Sequence, residues 1–169
     1  MSAKEAAIDR FLRAYPHVIA AGREHPALHG CEEVRWSEFA ECPAAIPVLL
    51  YGLVDQAAAA EAQRVLTNTL VSLVGMNAAV PEVLPYLLRL AVPGRAGLLD
   101  RLVVIAGYSE PVDPGSEAIT WWLGSDSDHP ERERCRDVFA RHADVVATLP
   151  EELLRPDSRA ALRRVAGLL

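Results

Sequence analysis

Slid along itself by 38 positions, the chain overlays residues 43–54 (PAAIPVLLYGLV) on residues 81–92 (PEVLPYLLRLAV). Pro43 then falls on Pro81, Pro47 on Pro85, Leu49 on Leu87, Leu50 on Leu88 and Val54 on Val92, while Ile46 meets Leu84. Prolines rarely recur by accident in matching places of an apolar segment. A spacing of this size is the mark of an architecture built from stacked supersecondary units. Within each copy the apolar residues recur at helical intervals: Ile46, Leu49, Leu50 and Leu53 in the first, and Leu84, Leu87, Leu88 and Ala91 in the second. Proline is tolerated in the first turn of a helix, where its missing N–H would have had no partner. The register therefore predicts that Pro47 and Pro85 open helices and that Pro43 and Pro81 lie in the turns before them.

A second helix follows each copy. Leu66, Leu70, Leu73 and Val74 form one stripe behind the Ala-rich stretch 57–62, and Leu99, Leu102, Val103 and Ala106 form another behind the turn signal Pro93-Gly94. Gly75 and Gly107 are placed to close these second helices as left-handed caps. The expected repeat units are therefore helix–turn–helix pairs over residues 43–75 and 81–107. The flanks, 2–21 and 134–169, read as helical too. Ser2 and Glu5 offer a capping box ahead of Ile8, Phe11, Leu12 and Tyr15. Cys135, Val138, Phe139, His142, Val145, Val146 and Leu149 mark one amphipathic stretch. Leu162, Val165, Ala166 and Leu169 mark a last helix, opened by Asp157 or Ser158. No alternating run is long enough for a strand, so the fold class is all-α. With 169 residues the chain is expected to form a single domain over 1–169.

Paired helices of this period, with proline near the start of the first, resemble the HEAT/armadillo class of α-solenoids, small bacterial HEAT-like proteins among them. Pro47, Leu49, Leu50, Leu53 and Asp55 carry the resemblance in one copy, and Pro85, Leu87 and Leu88 in the other; it covers about residues 36–107. It implies a short stack of antiparallel helix hairpins. HEAT repeats often add an Asp at the end of the first helix and an Arg early in the second. Asp55 fits that pattern, whereas Val92-Pro93 replaces the Asp in the second copy and Arg64 and Arg95 are not equivalently placed. An acidic, irregular insertion near residues 110–133 interrupts the stack.

Composition narrows the function. Seventeen Lys and Arg against 23 Asp and Glu leave a formal charge of −6, which disfavours a nucleic-acid partner held through phosphates. No apolar run reaches the ~18–20 residues of a membrane span, so no membrane association and a cytoplasmic location are expected. Lys4 is the one lysine among many arginines, the signature of a GC-rich, bacterial coding sequence. Three widely spaced cysteines read as reduced thiols.

Five features merit weighing as sites. His25, His29 and Cys31, with His17 upstream and Glu32 or Glu33 nearby, have zinc-ligand chemistry, against which stands a polar loop turned by Pro26 and Gly30. From Glu110 to Glu133 run Glu110, Asp113, Glu117, Asp126, Asp128, Glu131 and Glu133, a solvated acidic stretch suited to a basic partner but lacking the ligand order of a calcium loop. Trp121 and Trp122, beside Ile119 and Leu123, point about 100° apart on a helix, so one is expected in the core and one on a groove, against the alternative that the pair is core alone. His142 lies seven residues from Cys135, or ~10.5 Å along a helix, too far for proton transfer. Arg155, Arg159, Arg163 and Arg164 form a basic face on the last helix, by default a solvated one. The expected function is a protein-binding module, with Trp121, Trp122, Asp126 and Asp128 at the interface, of the immunity or antagonist type that masks a basic partner, and with no cofactor. The competing class is an enzyme acting on a small molecule or nucleic acid, with Trp121, Asp126, His129 and His142 around a pocket; the HEAT-like resemblance extends to DNA glycosylases.

Overall fold

The computed structural model describes residues 2–72, 75–92, 95–112 and 124–169. Among them the fold is all-α, with nine α-helices, short 3₁₀ turns and two extended segments of two residues each. The chain gathers into two compact units, Met1–Ser72 and Leu73–Leu169, so the two copies of the repeat fall in different units.

The first unit holds α1 (Ala3–Ala14), α2 (Val18–Arg23), α3 (Ile46–Val54) and α4 (Ala59–Leu70). Ser2 caps α1 as expected: its side chain accepts from the Glu5 N–H at 3.2 Å, and the Glu5 carboxylate accepts from the Ser2 N–H at 2.6 Å. Pro47 sits in the first turn of α3, and Asp55 closes that helix. Asp55 Oδ1 then accepts the N–H groups of Ala57 and Ala58 at 3.0 and 2.9 Å, while Oδ2 lies 3.1 Å from His17 Nε2. It thus joins three elements without an arginine, and Arg64 pairs with Glu61 on its own helix. The core is made by Ile8, Phe11, Val18, Ile46, Leu49, Leu50 and Leu53, with Ala62, Val65, Leu66 and Leu70 closing it from α4. Leu73 and Val74 of the expected stripe lie outside the described residues.

Close approach between helices requires glycine twice. A Cβ on Gly22 would lie 2.3 Å from Tyr51 Cβ, and one on Gly52 would lie 2.4 Å from Phe11 Cζ and 2.7 Å from Ala62 Cβ. The bare glycine faces thus let α2 seat on α3, and α3 seat against α1 and α4.

The second unit contains α5 (Val80–Ala91), α6 (Ala96–Ser109), α7 (Pro130–Arg141), α8 (Ala143–Ala147) and α9 (Pro156–Val165). Helices α5 and α6 pack on each other and on α7, and α9 packs against α6. Leu84, Leu88, Leu99, Leu102 and Phe139 are fully buried among them.

Several expectations are corrected here. Pro85 does not open its helix: α5 begins at Val80 with Pro81 in its first turn, leaving Pro85 inside. Asn77 explains the early start, because its Oδ1 accepts the Ala79 N–H at 2.9 Å and its carbonyl accepts the Val80 N–H at 2.9 Å. In the first copy the place of Asn77 is taken by Phe39 and that of Ala79 by Glu41, whose left-handed φ of 55° bars a helix there. Neither Gly75 nor Gly107 is left-handed; Gly75 lies in an extended segment and Gly107 inside α6. Pro156, and not Asp157 or Ser158, is the first residue of α9. The amphipathic stretch from Cys135 to Leu149 breaks at His142 into α7 and α8. The last part of the acidic stretch, from Pro130, is regular helix. Pro93-Gly94 lies outside the described residues.

Candidate functional site

Among the described residues of the acidic stretch, Glu110 and Asp126 are paired with arginines, while Asp113 and Glu117 lie outside the described residues. Glu110 pairs with Arg164 at 2.6 Å, and Asp126 with Arg136 at 2.9 Å and Arg132 at 3.9 Å. Arg136 also donates to the Ser109 carbonyl at 2.7 Å and Arg132 to that of Gly124 at 3.3 Å, fastening this segment to α6 and α7. Asp128 accepts from the Ser125 backbone and hydroxyl at 3.0 and 2.6 Å, and these bonds hold its carboxyl below the usual carboxylate range. Of the residues proposed for a pocket, Asp126 goes to the two arginines, His129 lies 3.0 Å from Glu131, and His142 donates to the Val138 carbonyl at 2.9 Å. They serve three separate local networks. Trp121 and Trp122 lie outside the described residues.

The basic face of the last helix is likewise engaged. Arg159 and Arg163 both pair with Glu151 at 3.1 Å. His25 turns inward to accept from the Ala27 N–H at 3.3 Å, and Cys31 is buried with its carbonyl accepting the Trp36 indole N–H at 2.8 Å. Among the described residues no three His, Cys, Asp or Glu side chains converge as a metal ion requires. Burial pushes the Cys31 thiol up, that of Cys42 to about 11 and that of Cys135 to about 12, so none is activated as a nucleophile.

The arrangement with chemical content is in the first unit, around the segment between α2 and α3. A cleft of about 450 Å³ opens there, lined by Arg23, Glu32, Arg35, Trp36, Glu38 and Tyr51 together with apolar residues of α3. Tyr51 is only 3% exposed, seated against Gly22, and donates from its hydroxyl to Glu32 Oε1 at 2.6 Å. Arg23 Nε donates to the same oxygen at 3.1 Å. The Tyr51 bond first, and Arg23 second, hold the Glu32 carboxyl below the ordinary carboxylate range; burial and that same bond push the Tyr51 phenol up. Glu32 is therefore an anion fixed in place from beneath. Arg35 and Glu38, which line the same cleft, pair with each other at 2.7 Å.

A second cleft, of about 660 Å³, adjoins the first and shares Ser37 and Glu38 with it. Its rim holds Lys4, which donates to the Glu41 carbonyl at 3.2 Å and lies 3.4 Å from the Glu41 carboxylate. The sole lysine thus braces the one non-glycine residue with positive φ among the described residues. Residues 24–41 hold five glutamates, Glu24, Glu32, Glu33, Glu38 and Glu41, all exposed, against a single arginine in the same span. Sequence reasoning put the acidic surface at residues 110–133. The signal for this second surface was the spacing of glutamates around Trp36, in CEEVRWSEFAEC.

Among the described residues no helix is long and apolar enough to cross a membrane. No family model, curated protein or solved structure matches the chain.

Proposed function

We propose that this chain is a protein-binding module, and that it docks a basic protein on the glutamate-rich face of its first unit, in the manner of an antagonist or immunity protein. The observation carrying the reading is the set of five exposed glutamates over residues 24–41, of which Glu32, Glu38 and Glu41 line two adjoining clefts with partly apolar lining. Carboxylates on a rim steer an oppositely charged partner, and the clefts supply the area that retains it. The scaffold inferred is HEAT-like, with α3–α4 and α5–α6 as repeat units on the 38-residue register. Such helix pairs commonly serve as partner-binding surfaces. The net charge of −6 disfavours nucleic acid as that partner.

Reversing two of these charges, Glu33→Lys with Glu38→Lys, tests the reading. Wild-type protein should enrich one stoichiometric basic protein from its native lysate, with capture falling as salt rises. The double variant should bind that protein at least about tenfold more weakly, chiefly through slower association. Enrichment unaffected by the reversals, or absent at low salt, overturns it.

A further inference from the structure

We infer that the cleft over Glu32 is a subsite for one arginine side chain of the docked protein. This inference rests on the docking reading above. The charges lining the cleft look balanced, two arginines against two glutamates, but they are not held alike. Glu32 is anchored by Tyr51, and Tyr51 is fixed by burial and by its contact with Gly22. The other charges are loose: the side chains of Arg23, Arg35 and Glu38 are 61%, 80% and 56% exposed, each in a surface ion pair. Such pairs add little stability, because two long side chains must be ordered to make them. The preorganised charge is negative, and the positive charges are exchangeable occupants.

The chemistry already present names the ligand. Both contacts made by Glu32 among the described residues fall on Oε1, and half of the side chain is exposed. One of those contacts is a guanidinium, that of Arg23, so this carboxylate is already placed to take one. An incoming guanidinium displaces Arg35 from Glu38 and takes up the Glu32 and Glu38 carboxylates that line the same cleft. Its methylene stem lies along the apolar lining given by Val34, Trp36, Pro47 and Val48. Arginine suits this better than lysine, since its planar fork donates to two carboxylates at once and packs against aromatic surface.

The probe is N-acetyl-L-arginine methylamide, titrated into the full chain and followed by NMR at the Trp36 indole N–H, with the corresponding citrulline compound as the neutral isostere. The arginine probe should shift that resonance saturably, and the citrulline probe should bind at least about tenfold more weakly, as expected when a charge-assisted bond is lost. Glu32→Gln should weaken the arginine probe by a similar factor. Arg35→Ala should tighten it by a few-fold, because the competing occupant is gone, an effect that a purely structural arginine would not produce. Equal response to arginine and citrulline, or unchanged binding by Glu32→Gln, overturns the subsite. If that happens while the Glu33→Lys/Glu38→Lys variant still loses its partner, the subsite falls and the docking reading stands. If the probe behaves as stated while the reversals leave capture intact, the docking reading falls and the cleft remains an arginine site.

Discussion

Gly22→Ala is expected to lower the stability of the first unit by about 2 kcal/mol, although alanine is the better helix former. The added methyl would sit 2.3 Å from Tyr51 Cβ and 2.6 Å from Tyr51 Cα, so a backbone and not a flexible side chain must move. Overpacking of this kind costs ~1–3 kcal/mol, against the ~0.5–1 kcal/mol that Gly→Ala returns in a helix. Because Tyr51 carries Glu32, the same change should also disturb the cleft. Gly107→Ala serves as the control: it lies within α6 with nothing within 4 Å of the new methyl, and it should gain up to ~1 kcal/mol. Urea midpoints of the two variants should move in opposite directions, and hydrogen exchange should place the Gly22→Ala loss in peptides from residues 3–70. A neutral or stabilising Gly22→Ala would mean that α2 does not seat on α3 as described.

In the second unit, Phe139→Ala should have the largest effect, a loss of about 3–5 kcal/mol. Phe139 is 0% exposed on α7, the helix that packs against both α5 and α6. Removing the ring costs its transfer free energy and leaves a cavity that rigid neighbours cannot fill. Since domains are stable by only ~5–15 kcal/mol, this is a large share of the total. The exposed neighbour Ala140 provides the contrast, and Ala140→Ser should stay within about 0.5 kcal/mol. A loss below ~1 kcal/mol for Phe139→Ala, read from the urea midpoint, would contradict the packing of α7.

The all-α class was legible in the sequence because apolar spacing reports helix faces directly: Ile8 and Phe11, Leu49 and Leu50, and Leu87 and Leu88 are all buried as their period requires. The capping box at Ser2 and the closure of α3 at Asp55 were legible because each is a local hydrogen-bond pattern. The start of α5 was not. The repeat register compared apolar residues and prolines, whereas the helix start turns on Asn77 in one copy and on the left-handed Glu41 in the other. A polar side chain and a backbone angle leave little trace in an apolar pattern.

The candidate site was less legible for a different reason. Counting carboxylates along the chain singles out residues 110–133, but it does not show which arginines hold them. Arg136 and Arg164 reach Asp126 and Glu110 across 10 and 54 positions, a separation that no local reading of charge can see. The Tyr51–Glu32 bond, spanning 19 positions, is hidden in the same way. Glu24, Glu32, Glu33, Glu38 and Glu41 were visible as letters, and folding brings Glu32, Glu38 and Glu41 of them onto two adjoining clefts.

The central claim concerns where the partner sits, and amide hydrogen exchange of the chain with and without its captured partner tests it most directly. The account predicts added protection in peptides spanning residues 24–48, around Glu32, Trp36 and Glu38, with the segment 124–144 unchanged. Protection confined to residues 124–144, or to the arginines of α9, would contradict it.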